Sequence, residues 1–189
     1  MSGGTWMNEE KSLTPQLQIR PLTMDDYEAV LKWSKDDSFC LANGWELNRS
    51  PEELYRWWLL CVNNATADFI RMGMELEGEL VGYADLANIA DDTAELGIAI
   101  GESGLWGKGI GSRAATSIMR YAAEKLGITT FTAETNEANL RSQKMLEKIG
   151  FKVISRSGSE EYMGAESSLI QYRLMKKNFL TFAKSCGPG

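Results

Sequence analysis

The chain has 189 residues, enough for one domain with a sizeable core, and its 43% hydrophobic and 24% charged content is that of an ordinary globular protein. Its formal net charge of −6 argues against a nucleic-acid partner, which would require a basic surface. No run approaches the ~18 apolar residues of a membrane-spanning helix, and no basic segment followed by an apolar stretch opens the chain. We therefore expect a cytoplasmic protein without a membrane partner.

Cysteine and histidine usage limits the kinds of site that the chain can build. Cys40, Cys61 and Cys186 have no paired spacing, and such an odd, scattered set is typical of reduced thiols. Because the chain contains no histidine, a zinc site would have few ligands, and we predict no metal. The acidic surface can either attract cationic substrates such as amines or serve only solubility.

The N-terminal part of the chain is predicted to form a loose arm, a short strand and two helices. The arm is polar and lacks periodicity, whereas capping signals open both helices, the second with an N-cap serine followed by proline. A loop-like segment separates the helices. In chain order these features are the arm 1–15, the strand Leu17 to Arg20, the helix Thr23 to Ser34, the loop Asp36 to Arg49 and the helix start Ser50 to Glu53.

The middle of the chain changes to the alternating pattern of strands. Three strands are predicted, at Phe69 to Leu76, Glu79 to Ala87 and Ala94 to Ile100. The turn residues Glu77-Gly78 and Asp91-Asp92 join them. Because such short connections make hairpins, this part of the sheet should be antiparallel.

Helical and strand patterns alternate in the rest of the chain. Apolar residues at helical spacing predict a helix from Ile110 to Leu126, which Gly127 ends. The remaining predicted elements are a strand at Ile128 to Thr135, a helix at about Ala138 to Lys148, and strands at Phe151 to Ser155 and Ser168 to Met175.

These elements predict an α/β fold. Strand, helix and strand joined by a crossover imply parallel pairing at that point, so the sheet is mixed, with about six to seven strands and about four flanking helices. We expect a single domain over residues 16–176, followed by a C-terminal tail at 177–189.

A glycine-rich turn, Trp106-Gly107-Lys108-Gly109-Ile110-Gly111-Ser112, joins a strand to a helix. Consecutive backbone N–H groups at a helix start can hold a phosphate without a metal. A P-loop does not fit, because Glu102 occupies the position of its first glycine. A dinucleotide-binding turn fits Gly109 to Ala114, with Glu134 about twenty residues further on, but that fold requires several parallel crossovers. A plain connection is the remaining alternative.

The turn resembles the acetyl-CoA-binding motif of the GNAT acyltransferase superfamily, Arg/Gln-x-x-Gly-x-Gly/Ala. Gly109 and Gly111 fill its small positions, and Trp106 stands where Arg or Gln is usual. Asn139 to Ser142, followed by Glu147 to Phe151, resembles the family's next motif. The stretch from Ala94 to Gly109 looks most like the branch that contains the enzymes acetylating ribosomal-protein N-termini.

The resemblance implies acetyl-CoA as the cofactor. The resemblance implies that the strand at Glu95 to Ile100 splays from its parallel neighbour and that the pantetheine arm of the cofactor lies in the split. The backbone of Ile98, Ala99 and Ile100 would then lie against the pantetheine arm. The cofactor-binding residues implied are Ile98, Ala99, Ile100, Trp106, Gly107, Lys108, Gly109, Ile110, Gly111, Ser112, Asn139 and Ser142.

The chemistry requires a neutral amine and a proton for the departing thiolate. Glu95, at the start of the cofactor strand, is the candidate base, with Asp85 and Glu134 as weaker substitutes; a solvated charge is the alternative for Glu95. Relatives often carry a tyrosine acid seven residues after the motif asparagine, but Leu146 stands there. Ser142 is then the candidate proton donor, unless the thiolate leaves without one.

The resemblance implies that the N-terminal tryptophans border the acceptor pocket, although helical spacing favours core packing for Trp33 and for one of Trp57 and Trp58. Trp45 lies in the predicted loop and is the candidate substrate contact together with Glu95, since an aromatic wall with carboxylates suits an ammonium group. We expect acetyl transfer to a primary amine by direct attack, with a protein N-terminus slightly favoured over a polyamine or an aminoglycoside. Family members often pair as homodimers. The alternatives are a non-catalytic acyl-CoA-binding module, favoured by Leu146, and a dinucleotide-dependent oxidoreductase.

Overall fold

The computed structural model describes residues 15–63 and 66–179. Its N-terminal part contributes one edge strand and three helices. Burial of the apolar face of each helix determines how they pack, and Trp33, Leu54 and Trp58 are fully buried. The elements are β1 (Leu17–Arg20), a 3₁₀ turn (Met24–Asp26), α1 (Tyr27–Trp33), α2 (Asp37–Ala42) and α3 (Pro51–Asn63).

Seven strands of the described chain form one sheet in the order β1-β2-β3-β4-β5-β7-β6. The pairing of β4 with β5 is parallel, and the other five neighbouring pairs are antiparallel. The strands after β1 are β2 (Ile70–Leu76), β3 (Glu79–Ala90), β4 (Thr93–Ile100), β5 (Thr130–Asn136), β6 (Lys152–Tyr162) and β7 (Ala165–Met175). The mixed sheet expected from the sequence is therefore confirmed.

Two apolar clusters cover the two faces of the sheet. α4 (Ile110–Lys125) and α5 (Leu140–Ile149) pack on one face, in a cluster that includes Ala94 and Leu96 of β4. Trp33, Trp58 and Ala99 belong to the second cluster, under α1 and α3. Because successive side chains of a strand point to opposite faces, β4 contributes to both clusters.

β4 and β5 pair over only three residues and then separate. Thr93, Ala94 and Glu95 are opposite Thr130, Phe131 and Thr132, and no pairing continues beyond them. The remainder of β4 stays paired with β3 as far as Ile100. The splayed parallel pair implied by the family resemblance is thus present.

The predicted turn at Glu77-Gly78 connects β2 to β3. Both residues have positive φ, +54° and +88°, as a two-residue hairpin turn of type I′ requires. A β-bulge between Met74 and Glu75 shifts the register after this turn.

The prediction that Asp36 to Arg49 is a loop is wrong in its first half, where α2 forms. The Asp36 carboxylate accepts a hydrogen bond from the Phe39 N–H at 3.1 Å and caps the helix. Phe39 and Cys40 are fully buried, so tertiary packing stabilises a helix of only six residues. The last hairpin is also longer than predicted, since β6 extends to Tyr162 and β7 begins at Ala165.

The predicted N-terminal arm lies outside the described residues except for Pro15, and so does the predicted tail beyond residue 179. Phe179 itself is buried and packs against Phe131 of β5, with 6.3 Å between the ring centroids. Within the described ranges, no helix has both the length and the apolarity needed to cross a membrane.

Candidate active site

The glycine-rich turn leads into α4 and leaves the first N–H groups of that helix without a side-chain cap. Gly109 is the N-cap residue with φ +80°, and Gly107 has φ +77°, a conformation that costs glycine little. Arg113 donates the first helical hydrogen bond, to the Gly109 carbonyl at 3.2 Å. The N–H groups of Ile110 to Ser112 precede it, at the positive end of a 16-residue helix dipole. This arrangement can bind an anion.

A cleft of about 350 Å³ opens beside the turn, between the end of β4 and α5. Nine of the residues predicted from the sequence line it: Ile98, Ile100, Trp106, Gly107, Gly109, Gly111, Ser112, Asn139 and Ser142. The other three lie differently. Ala99 is buried in the second cluster, Ile110 is buried in the first, and Lys108 is exposed on the turn.

The splayed end of β4 directs main-chain groups into the gap beside this cleft. Gly101 donates to the Val81 carbonyl at 2.8 Å, and residues that bond to an antiparallel partner alternate along a strand. The N–H and C=O groups of Ile98 and Ile100 are therefore turned away from β3. The indole Nε1 of Trp106 donates to the Ile100 carbonyl at 3.0 Å.

Gly111 allows α4 and α5 to approach each other at the cleft. A Cβ atom at this position would lie 2.9 Å from Met145 Sδ, and 3.6 and 3.7 Å from the side chains of Ile100 and Ile98. Both isoleucines and Met145 line the cleft, so any side chain at position 111 would press on its wall.

Three basic residues of α5 also line the cleft and were missed by the sequence analysis. They are Arg141, Lys144 and Lys148, at i, i+3 and i+7, a spacing that places them on one side of a helix. That spacing could have revealed them. The guanidinium of Arg141 lies 3.9 Å from the centroid of the Trp106 ring. A cation from α5 thus stands beside the residue that replaces the usual Arg or Gln of the motif.

The start of α5 holds two further predicted residues in place. Asn139 is its N-cap, and its Oδ1 accepts a hydrogen bond from the Ser142 N–H at 3.1 Å. Ser142 is half-buried on the cleft wall. Leu146, one turn later, is 2% exposed and packs in the first core cluster. The position at which relatives often place a tyrosine therefore belongs to the core here.

Glu95 lies on the other face of the sheet, at the point where β4 and β5 separate. It is opposite Ala87 of β3 and Thr132 of β5, the last paired position of the parallel strands. Its side chain is half-buried, and Oε2 accepts a hydrogen bond from Asn88 Nδ2 at 2.9 Å. A carboxylate at this position could accept a proton from a group in the gap.

The two weaker candidate bases are both held by other side chains. Asp85 forms a bidentate ion pair with Arg71, at 2.8 and 2.7 Å. Although burial alone would lower the pKa of Arg71, the bonds to Asp85 raise it above its ordinary value. Glu134 is exposed and accepts a hydrogen bond from Gln171 Nε2 at 2.7 Å.

Trp45 packs among aromatic side chains of the second cluster. Its ring lies 4.9 Å from both Phe39 and Trp57, and its Nε1 donates to the Tyr83 hydroxyl at 3.3 Å. The rows of β3 and β4 that contain Tyr83 and Glu95 are four residues apart, or about 13 Å. The two predicted acceptor contacts thus flank the Arg71–Asp85 pair and do not touch each other.

Other kinds of site find less support in the described part of the chain. No group of three or more Cys, Asp or Glu side chains there is placed to share a metal ion. Its sheet has one parallel pair, β4 with β5, which is fewer than the several crossovers of a dinucleotide-binding fold.

A family model for the GNAT acetyltransferase domain matches residues 16–152 of the sequence. The chain belongs to the GNAT acetyltransferase family. The matched range includes both motifs, the splayed strands and the candidate base.

The GNAT assignment agrees with individual relatives. Mouse alpha/beta-tubulin-N-acetyltransferase 9 is 26% identical over 162 residues, which is 80% of this chain. The chain spans 57% of that enzyme's length and 30% of the length of a relative from Methanocaldococcus jannaschii.

Two solved GNAT structures share the fold. Spermidine N-acetyltransferase from Vibrio cholerae, in complex with CoA and spermine, superposes with a TM-score of 0.74 at 18% identity, over 87% of this chain and 98% of that chain. RimL, a ribosomal L7/L12 alpha-N-protein acetyltransferase in complex with CoA, superposes with a TM-score of 0.70 at 18% identity, over 87% and 96%. At this identity the likeness shows the fold alone.

Proposed function

We propose that this protein transfers the acetyl group of acetyl-CoA to a primary amine, with a protein N-terminus slightly favoured as acceptor over a polyamine or an aminoglycoside. One observation carries the proposal. The uncapped start of α4 and the opened edge of β4 line the same cleft, so a phosphate site and a row of main-chain hydrogen-bonding groups lie side by side. Coenzyme A has this combination of a pyrophosphate and an amide-bearing arm.

The residues present fit that cofactor. The N–H groups of Ile110 to Ser112 would hold the pyrophosphate, and the main chain of Ile98 would bond the amides of the arm. Arg141, Lys144 and Lys148 would meet the remaining phosphate charge. Bound acetyl-CoA supplies an acetyl group activated as a thioester.

Acid–base chemistry falls to residues on the two sides of the gap. Glu95 would accept the proton of the incoming ammonium group, directly or through a water. Ser142 would donate a hydrogen bond or a proton to the departing thiolate, because Leu146 is buried in the core and supplies no hydroxyl. A thiolate with a pKa near 8.5 can also leave without an acid.

An α-amine suits this site better than a lysine or a polyamine. Roughly 10–20% of an α-amine is neutral at pH 7, whereas about one part in two thousand of a lysine-like amine is. A single carboxylate base is then sufficient to deprotonate the amine. RimL, whose fold this chain shares, is named for acetylation of a protein α-amine, although the spermidine enzyme has the same fold.

Release of CoA thiol in the presence of acetyl-CoA and a panel of amines tests the proposal. The panel should contain peptides with free α-amines, the same peptides blocked at the α-amine, spermidine and an aminoglycoside. We expect turnover of the free peptides and none of the blocked ones. Tight binding of acetyl-CoA without turnover of any amine would instead indicate the non-catalytic acyl-CoA module, which the buried Leu146 favours.

Calorimetry separates the cofactor from the dinucleotide alternative. Acetyl-CoA should bind at submillimolar concentration, and a nicotinamide dinucleotide should not. The reverse result would reject the proposal in favour of an oxidoreductase.

Two further features belong to the proposal. We place the reaction in the cytoplasm, which agrees with Cys40 and Cys61 being free thiols. We also infer a homodimer, because members of the family often pair in this way. Sedimentation at several protein concentrations would test this inference.

A further inference from the structure

On the acceptor face of the sheet, Arg71 lies in a box of aromatic rings closed by a carboxylate. Its guanidinium is 4.2 Å from the centroid of Tyr83, 5.4 Å from Phe69 and 5.8 Å from Trp57. Its Nε and Nη2 bond the two oxygens of Asp85 at 2.8 and 2.7 Å. We call these five residues the Arg71 box. The side chains of Arg71 and Asp85 are only 17% and 15% exposed.

One row of the sheet leads from the Arg71 box to β4, the strand that borders the gap. Arg71 is opposite Asp85 in the β2–β3 register, and Asp85 is opposite Gly97 in the β3–β4 register. Gly97 lies two residues beyond Glu95, on the same face and past the last β4–β5 pair. A Cβ atom on Gly97 would lie 3.3 Å from Asp85 Cβ, so the glycine leaves the β4 side of Asp85 without a side chain against it.

Aromatic rings around a carboxylate are a receptor for an organic cation. Tyr83 cannot take over the role of Asp85, since burial raises the pKa of its hydroxyl to about 12 and keeps it neutral. The receptor already contains a cation from the chain itself, and Asp85 is neutralised by it. A second cation brought against the guanidinium would meet like charge, and Asp85, already paired with Arg71, would not serve as its counterion.

We propose that Arg71 determines acceptor specificity by occupying, from within the protein, the cation site that the acceptor face would otherwise offer. Acceptors that carry a second ammonium group, such as polyamines and aminoglycosides, are excluded. Acceptors with one amine are accepted, and peptide α-amines above all. Three of the five guanidinium N–H groups bond Asp85 and the Cys61 sulfur, and the other two can bond the carbonyl of a peptide. This inference rests on the proposed acetyl transfer to amines.

Arg71→Met removes the internal cation and retains the rings and Asp85. We expect the ratio of kcat/KM for spermidine to kcat/KM for a free-α-amine peptide to rise at least tenfold. Arg71→Met/Asp85→Asn removes the carboxylate as well, and its ratio should return to within about threefold of wild type, because an aromatic box without charge attracts an ammonium group only weakly.

Arg20→Met is the matched control for the loss of a part-buried ion pair. Arg20 also forms a bidentate pair, with Asp26 at 2.9 and 2.7 Å, but at the β1 edge of the sheet. Its acceptor ratio should stay within about threefold of wild type. An equal rise in Arg20→Met, or none in Arg71→Met, would overturn the inference.

A second variant and a second readout keep the test decisive. Asp85→Asn leaves Arg71 without its counterion, so its ratio should fall below wild type even if Arg71→Met does not fold. Spermidine binding, measured by calorimetry, should tighten at least tenfold in Arg71→Met. Because binding needs no turnover, a wild-type protein that acetylates no amine would refute the proposed function alone, whereas unchanged spermidine binding would refute the role of Arg71.

Discussion

At the scale of single residues, Glu95 lies at the point where the sheet opens. It is the last residue of β4 that is paired with β5, and Asn88 holds its carboxylate from the neighbouring strand. Its side chain is on the face opposite the cofactor cleft, as follows from the alternation of β4. Glu95 is therefore placed to remove a proton from an amine that arrives on that face.

If Glu95 is the base, Glu95→Gln should lower kcat by about 10²–10⁴-fold while acetyl-CoA affinity stays unchanged. The loss should shrink at high pH, because solvent then deprotonates the amine. A pH profile of kcat/KM for the variant and the wild type measures both effects. Glu79→Gln, at the exposed start of β3, is the isosteric control and should leave the profile unaltered.

A residue that only positions the ammonium group would behave differently from a base. Its loss would chiefly raise KM, and high pH would not restore activity. Parallel profiles with less than about a threefold loss at every pH would exclude Glu95 from the mechanism.

Asp26 is the residue whose titration should govern acid stability. It is 7% exposed and accepts hydrogen bonds from Arg20 and from the Thr23 N–H. Burial alone would raise its pKa, but these bonds lower it below the ordinary value of 3.8. A lowered folded-state pKa contributes stability that is present above the unfolded-state pKa and is lost as pH falls through the folded-state value.

Denaturation at pH 3 to 7 should therefore show the stability of the wild type falling below about pH 4. Asp26→Asn should be less stable at pH 7 by an amount between the ~1 kcal/mol of an exposed pair and the 3–5 kcal/mol of a buried one. It should also lose less stability on acidification. An equal acid response in both proteins would show that other carboxylates carry the effect.

At the scale of elements, α5 forms one wall of the cleft. It begins with the Asn139 cap, and it presents Ser142, Lys144 and Lys148 to the cleft while Leu146 and Ile149 are buried. One amphipathic helix thus combines a core face with a basic wall in a chain whose net charge is −6. Local charge, not net charge, determines how an anionic cofactor is held.

Lys144→Gln/Lys148→Gln should weaken acetyl-CoA binding about tenfold, equal to ~1.4 kcal/mol, and leave kcat at saturating cofactor unaltered. The loss should decrease at high salt, since salt screens exposed charge pairs. Calorimetry at two ionic strengths measures both. Lys125→Gln, exposed at the end of α4 and away from the cleft, should bind like wild type. If the double variant bound normally at low salt, the basic side of α5 would have no part in cofactor binding.

The same scale shows what the sequence could and could not predict. Strands and long helices followed from periodicity and capping, because their burial repeats every second or every third to fourth residue. α2 did not, since six residues carry too little periodicity and Phe39 and Cys40 are stabilised by distant partners. The length of β6 was also underestimated, because this edge strand is exposed as far as Glu161 and lacks the alternation of buried side chains.

The residues of the candidate site also fall into those that the sequence could predict and those that it could not. Gly109, Gly111 and Asn139 could be placed from motifs, because their backbone roles restrict the residue type. The Arg71–Asp85 pair could not. Counting back from the Glu77-Gly78 turn places Arg71 opposite Ala84, and the bulge at Met74 and Glu75 moves it by one residue. A slip of one position exchanges the two faces of a strand, so such a pair cannot be found without the coordinates.

At the scale of the whole molecule, the sheet separates two working surfaces. α4 and α5 border the cleft on one face, and the aromatic cluster under α1 and α3 lies on the other. The opened part of the β4–β5 seam lies between them. The long covered sheet fixes both surfaces, and short segments at its split carry the candidate site.

If the seam admits one substrate from each face, as the proposed function requires, both substrates can be bound at the same time. Steady-state kinetics should then show intersecting lines in double-reciprocal plots. Added CoA should compete with acetyl-CoA but not with the amine. Parallel lines would instead mean that CoA departs before the amine binds. The acetyl group would then be bonded to the protein as an intermediate. A sheet split along one seam is thus expected to bind both reactants at the same time, in a ternary complex.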